Sequence, residues 1–146
     1  MRIDGEWLLS EDGVVRPRIP AVVRAAGDTW IETTLLLDAG ADRTVFNARL
    51  FNRLQHLRTT EMATTRLVGV GGAAGCINVA TAIRFTGDDG QGVTVRGSFA
   101  VFTDIESADV SILGRDVTDN FSVIYDYPNR VVALLASPHS YEIKSR

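Results

Sequence analysis

The sequence predicts a mainly-β single domain, folded as a closed or nearly closed barrel. Three observations carry this expectation. Short runs of β-branched, aromatic and other apolar residues recur along most of the chain. Turn-forming clusters rich in Gly, Asp and Asn separate them. One stretch, Asn47–Leu57, instead spaces its apolar residues as a helix would.

Taken in order, "EWLL" and "VVRPR" flank "SEDG", a hairpin with an Asp-Gly turn. "IPAVVRA" and "TWIETTLLLD" follow as strands, with "AGD" between them. In "NARLFNRLQHL", Leu50, Phe51, Leu54 and Leu57 share one helical face, and Asn47 is placed to cap its start. Strands resume at "TTRLVGV", "CINVATAIRF" and "GVTVRGSFAVF", the last two joined by the turn "TGDDGQG". "DVSILG" is a short apolar strand, and "RDVTDNF" has the length of one or two helical turns. "SVIYDY" and "RVVALL" make a final hairpin across "PN", and the polar tail from Ser137 is expected to be loose. No linker, repeat or low-complexity segment divides residues 1–146, so one domain is expected.

Composition narrows the function. The 146 residues are 45% hydrophobic and 23% charged, enough to bury one core. A net charge of −3 gives no electrostatic case for nucleic acid or an anionic membrane. The single cysteine, Cys76, cannot build an internal disulfide framework. The N-terminal stretch "MRIDGEWLLSEDG" has no apolar core of a signal peptide, and no run reaches membrane-span length. A cytoplasmic protein is the expectation.

The inventory of reactive groups excludes more. Two histidines, His56 and His139, lie far apart and no Gly-x-Ser-x-Gly elbow is present, which argues against a Ser-His-Asp hydrolase. No His/Cys/Asp set has metal-ligand spacing, so neither a metal nor a cofactor is expected. "VGVGGAAG" fits a loose dinucleotide-binding pattern at Gly69, Gly71 and Ala74, but a strand-like segment follows where a helix would be needed. A hairpin tip is the better reading.

What remains is "LLLDAGADRT", Leu35–Thr44, where an apolar strand runs into Asp38 and a tight turn. Alone, such a match is most often a strand end. Here it is joined by Thr44 at the spacing D-x-G-A-x-x-[ST], by the glycine-rich tip about thirty residues on, and by "SILGRD", Ser111–Asp116. This ordered set resembles the retroviral-type (retropepsin-like) aspartic proteases over roughly residues 30–135. In that family a strand ends in Asp-Thr-Gly-Ala, a glycine-rich flap covers the cleft, and an apolar-apolar-Gly-Arg-Asn/Asp segment enters a helix. The resemblance implies an acid-protease barrel with one or two short helices, acting as a homodimer on peptide or protein substrates.

By that resemblance Asp38 is the catalytic acid, and Ala39, Gly40 and Ala41 form the catalytic loop. Asp42 and the flap residues Val70, Gly71, Gly72 and Ala73 would meet substrate. Thr44, Gly114, Arg115 and Asp116 would hold the loop and the dimer contact, with Arg115 pairing to Asp42, in the best case through both oxygens. Ile112 and Leu113 would pack beneath. Each also has a plainer reading: solvated surface charges for Asp42 and Arg115, a mobile hairpin for the tip, an ordinary core strand for Ile112 and Leu113.

Peptide hydrolysis of this kind needs two carboxylates sharing one proton. The pairs Asp4-Gly5, Asp12-Gly13 and Asp89-Gly90 lack the apolar lead and the intervening small residue. The second acid must therefore be Asp38 of another copy, across a two-fold axis. One departure counts against full activity: Ala39 stands where the family has Thr or Ser, whose hydroxyl bonds across that axis. Three readings follow: a dimeric aspartic endopeptidase, a weak or inactive dimerisation or peptide-binding module of the same fold, and an unrelated barrel that binds a small ligand.

Overall fold

Residues 1–59, 65–69, 72–105, 110–140 and 142–144 are described by a computed structural model, with the backbone alone for 65–69, 72 and 73. Eleven strands are described: β1 (Arg2–Asp4), β2 (Glu6–Leu9), β3 (Val15–Arg24), β4 (Trp30–Leu37), β5 (Val45–Phe46), β6 (Thr65–Gly69), β7 (Gly72–Thr86), β8 (Gly92–Phe102), β9 (Ser111–Leu113), β10 (Phe121–Asp126) and β11 (Val131–Ala136). Two α-helical turns, α1 (Phe51–Leu54) and α2 (Arg115–Thr118), interrupt them.

The main sheet runs β2-β3-β4-β9-β5-β8-β7-β6, and β3 also pairs with β7. That extra pairing closes a six-stranded ring, as the expected barrel requires. The seam is short, Val22 opposite Arg84 and Val23 opposite Ile83. Side chains reinforce it. The Arg84 guanidinium lies 4.0 Å from the Trp30 ring centre, and the Thr81 hydroxyl donates to the Arg24 carbonyl at 2.5 Å. Inside lie Ile19, Leu35, Phe46, Ile83, Val101 and Leu113, each at most 0% exposed. A fully buried side chain of this size contributes about 1.5–3 kcal/mol, so the ring interior dominates the stability.

Two sequence expectations change in detail. "VVRPR" and "IPAVVRA" form one continuous strand, β3, despite Pro17 and Pro20. The register explains the tolerance. The β4 ladder starts at Arg18, beyond Pro17, and Pro20 sits between the β2 ladder ending at Arg18 and the β7 ladder starting at Val22. A proline there removes an N–H that no neighbouring strand would receive.

The segment predicted as one helix over 47–57 is three short pieces: a 3-10 turn at Ala48–Leu50, α1, and a 3-10 turn at Gln55–Leu57. Asn47 makes no side-chain cap; its backbone N–H donates to Ser111 Oγ at 2.9 Å. A bridge between Arg58 and Val79 pins the other end. So short a helix has no stability of its own. Leu54, 0% exposed, and the flanking Leu50 anchor it to the core.

A second, three-stranded sheet has the order β1-β11-β10. The sequence reading did not anticipate β1. Arg2–Asp4 pairs with Leu135–Ala133, which ties the start of the chain to the final hairpin. Ile3, 1% exposed, is the apolar residue that this pairing buries. No regular element follows Ala136 among the described residues.

Candidate active site

The turn at Asp38 is placed by parallel pairing of β4 with β9. Leu35, Leu36 and Leu37 lie opposite Ser111, Ile112 and Leu113. Leu37 and Leu113 are buried, so the two strands deliver their ends to one side of the barrel. The Asp38 N–H continues the ladder to the Leu113 carbonyl at 3.2 Å. Strand β5 then crosses beside β9, with Val45 opposite Ile112.

Within the turn, the Gly40 N–H donates to Asp38 Oδ1 at 2.9 Å, and the Ala41 N–H donates to the Asp38 carbonyl at 3.2 Å. A Cβ on Gly40 would press against that same carboxylate oxygen at 3.2 Å, so the glycine leaves room for it. Asp38 is half-buried, while Ala39 and Gly40 are exposed. One carboxylate oxygen is therefore fixed by the backbone, and the other has no partner of that kind among the described residues.

Behind the turn lies a closed hydrogen-bond knot. Thr44, 0% exposed, donates both its N–H (2.8 Å) and its hydroxyl (2.7 Å) to Asp116 Oδ1. The Gly114 N–H donates to the Thr44 hydroxyl oxygen at 3.0 Å. The start of α2 returns the favour: Arg115 N–H donates to the Ala41 carbonyl at 2.8 Å, and Asp116 N–H to the Asp42 carbonyl at 3.2 Å. Gly114 is needed for contact, because a Cβ there would run into the backbone of Arg43. Asp42 and Arg115 do meet, but by one contact of 3.6 Å with both side chains mostly exposed, not by a two-pronged pair. Such a pair adds little on its own.

Of the expected flap residues, Val70 and Gly71 lie outside the described residues. Gly72 and Ala73 begin β7, opposite Gly69 and Val68 at the end of the β6–β7 ladder. Ile112 is half-buried and Leu113 is 0% exposed beside the turn.

Three residues near the site were not singled out from the sequence. Ser111, fully buried, joins β9 to the segment after β5 through Asn47. Arg43 donates to Asn78 Oδ1 at 2.8 Å, linking the turn to β7. Tyr125 on β10 feels the charge of Asp38: burial first, and that charge second, push its phenol above the ordinary value. A polar residue just after the D-x-G-A unit could have flagged Arg43; nothing local could have flagged Tyr125.

Among the described residues no three His, Cys, Asp or Glu side chains gather to hold a metal, and no helix is long and apolar enough to cross a membrane. A surface hollow of about 350 Å³ lies on the outer wall between Pro20, Glu32, Thr34 and Arg84 and touches none of the site residues.

No protein-family model and no curated protein matches the sequence. Solved structures do. A retropepsin-like aspartic protease from Rickettsia conorii superposes with a TM-score of 0.55 at 13% identity, covering 92% of this chain and 97% of that one. The retroviral protease-like domain of Ddi1 from Leishmania major gives 0.53 at 21%, covering 86% and 98%. EIAV protease complexed with the inhibitor HBY-793 is 28% identical over 71% of this chain and 86% of that one, at a TM-score of 0.49.

Proposed function

For this chain of retropepsin-like fold, we propose an aspartic endopeptidase that works as a homodimer, each copy supplying one Asp38. The observation that carries this is the Asp38 turn itself. A carboxylate at a strand end has one oxygen fixed by the Gly40 N–H and its loop braced by Thr44, Asp116 and Gly114. That is a pre-positioned acid on rigid elements.

The chemistry follows from two such acids face to face. Like charges so close cannot both ionise, so the pair holds one proton. The ionised Asp38 takes a proton from a water, whose oxygen attacks the peptide carbonyl carbon. The protonated Asp38 of the second copy gives its proton to the carbonyl oxygen. The resulting tetrahedral diol collapses as the C–N bond breaks, and the amine leaves with a proton returned through the dyad. No metal or cofactor enters these steps.

What supports a second copy is the state of β10. Directly paired residues share a face, so Val123 and Tyr125 lie on the same face as Leu134, Val132 and Ile3. Those three are buried, yet Val123 is 41% and Tyr125 55% exposed. The core-facing side of the sheet thus runs out past the chain's own core. β10 is also the last strand of its sheet, and "FSVIYD" contains no proline or lysine to blunt the edge. Trp7, with its ring centre 4.9 Å from both Tyr125 and Tyr127, extends the apolar face. A symmetry mate pairing there would cover this face close to Asp38.

Ala39 favours a second reading, a peptide-binding or dimerisation module of the same fold with little or no turnover. Its exposed methyl offers no hydroxyl to cross the axis. A peptide mixture incubated at several acidic pH values, with sedimentation of the same sample, decides. Cleavage that Asp38→Asn abolishes supports the enzyme. Dimers without cleavage support the module, and a strict monomer overturns the dimeric enzyme and the dimerisation role alike.

A further inference from the structure

We infer that the helical segment over residues 48–57 is a binding surface for an acidic segment of a partner protein, built on Arg49, Arg53 and His56 with Arg58 beyond them. None of these residues belongs to the acid turn or to the knot behind it, so the surface needs no proteolysis.

The three short pieces run on from one another. Leu50 and Gln55, at the joints, keep right-handed helical backbone, so residues three and four apart share a face. Ala48, Leu50 and Leu54 on one side are buried. Arg49, Asn52, Arg53 and His56 are all exposed, at the spacing i, i+3, i+4, i+7 of a single outward stripe. The bond from Asn47 to Ser111 and the bridge from Arg58 to Val79 hold both ends, which presents the stripe on a fixed frame.

The charge here is one-sided. Of the chain's 15 Lys and Arg and 18 Asp and Glu, the stretch Arg43–Thr59 holds Arg43, Arg49, Arg53 and Arg58 and not one acid, so the remainder is strongly acidic. Arg2, Arg16, Arg24 and Arg115 each have a carboxylate partner, but among the described residues none lies within ion-pair distance of Arg49, Arg53 or Arg58. Arg49 and Arg53 stand four apart, a spacing at which like charges weaken a helix. A face kept only for solubility would mix the two signs. Helical residues four apart lie about 5–6 Å from each other, and alternate residues of an extended peptide roughly 6.6 Å. Carboxylates at alternate positions can therefore meet Arg49 and then Arg53, each guanidinium offering two parallel N–H donors, with a ring N–H of His56 next in line. A nucleic acid or an anionic membrane is a longer polyanion and would run off the stripe onto the acidic remainder, which repels it. A short acidic segment does not.

The test titrates the full chain with a labelled peptide alternating Glu and Ser, its Gln counterpart, a single-stranded oligonucleotide of equal length, and phosphatidylserine vesicles. Fluorescence anisotropy reads the first three and cosedimentation the last. The Glu peptide should bind about tenfold tighter than the Gln peptide, because several weak exposed ion pairs act together, and the difference should shrink as salt rises. Arg49→Glu with Arg53→Glu should bring the ratio close to one. Arg49→Glu alone should lower it several-fold while the thermal midpoint stays equal or rises, because Glu four residues before Arg replaces a repelling pair. Arg96→Glu, an exposed change of the same charge on β8, should leave the ratio as it is. If the double variant fails to fold, Arg49→Glu carries the comparison. Equal binding of the two peptides, a ratio lowered as much by Arg96→Glu as by Arg49→Glu, or tighter binding of the oligonucleotide or the vesicles overturns the proposal and leaves proteolysis standing. Selective binding of the Glu peptide by a chain that cleaves nothing overturns proteolysis and leaves the surface standing.

Discussion

Thr44 and Asp116, 72 residues apart in sequence, are joined twice through one oxygen: the Thr44 amide and hydroxyl both donate to Asp116 Oδ1, at 2.8 and 2.7 Å. The hydroxyl also accepts from Gly114, so every polar atom of this buried side chain is used. Thr44→Val keeps the shape but strands the Gly114 N–H and weakens the hold on Asp116. The expected loss is about 2–3 kcal/mol, the cost of leaving buried polar groups unpaired. It should appear as a lower urea midpoint at unchanged slope. Thr44→Ser should recover most of it.

Ala39 is exposed in the single chain, so a larger side chain meets no obstacle there. Ala39→Thr restores the hydroxyl that would bond across the axis. Two symmetric bonds at about 1 kcal/mol each correspond to a dimer tightened at least tenfold. Sedimentation equilibrium of the two proteins, alongside peptide turnover, measures it. An unchanged dissociation constant would contradict the loop assignment.

On β10, Val123→Lys and Tyr125→Lys place charges on the overhanging apolar face. Val123 is exposed in the single chain, so Val123→Lys should change monomer stability by no more than about 0.5 kcal/mol, while Tyr125→Lys also loses the edge-to-face contact with Trp7 and should cost about 0.5–1.5 kcal/mol. Each should nevertheless raise the dimer dissociation constant at least tenfold and depress activity in proportion to the monomer formed. Activity at full wild-type level in a monomeric variant would break the link between pairing and catalysis.

The Tyr125 phenol is held above its ordinary value by burial and then by the Asp38 charge. In monomeric protein, Asp38→Asn removes a neighbouring anion, which favours the phenolate, so the Tyr125 midpoint should fall. It should stay above the ordinary value of 10.0, because the burial remains. NMR titration of ring-labelled tyrosine reads both points. An identical midpoint in the two proteins would separate Tyr125 from the acid turn.

At the β2–β3 turn, both oxygens of Asp12 accept from Arg16, at 2.7 and 2.6 Å, and Oδ1 also accepts the Val14 N–H at 3.1 Å. The Arg16 bonds first, and the Val14 bond next, lower its carboxyl from 3.8 to about 2. A depressed folded value means that the contribution is fully present above 3.8 and is lost as the pH falls through about 2. The turn should therefore stay closed under the mild acid in which a proton-sharing dyad operates. The Asp12 carboxyl signal should titrate with a midpoint near 2, and Arg16→Gln should move that midpoint upward.

Much of the molecule is legible along the chain. "LLLDAGADRT" marks Asp38, its turn and the threonine that braces it, and a single such unit is why the proposed function needs a second copy. Strand and turn positions follow from period-two apolar runs and from Asp-Gly turns, because both signals are local. The three-piece form of residues 48–57 does not follow. Its ends are fixed by Ser111 and Val79, groups that the local pattern cannot see.

Tertiary structure alone decided the rest. Ring closure rests on a two-rung seam between Val22–Val23 and Ile83–Arg84, and the Asp38 turn on parallel pairing of Leu35–Leu37 with Ser111–Leu113. Partners so far apart in sequence leave no periodicity in either segment. The same holds for Arg43 reaching Asn78 and for Tyr125 coming within reach of the Asp38 charge. The residue types set which groups could act; the long-range register set which of them meet, because hydrogen-bonded strands align side chains that the chain itself keeps apart.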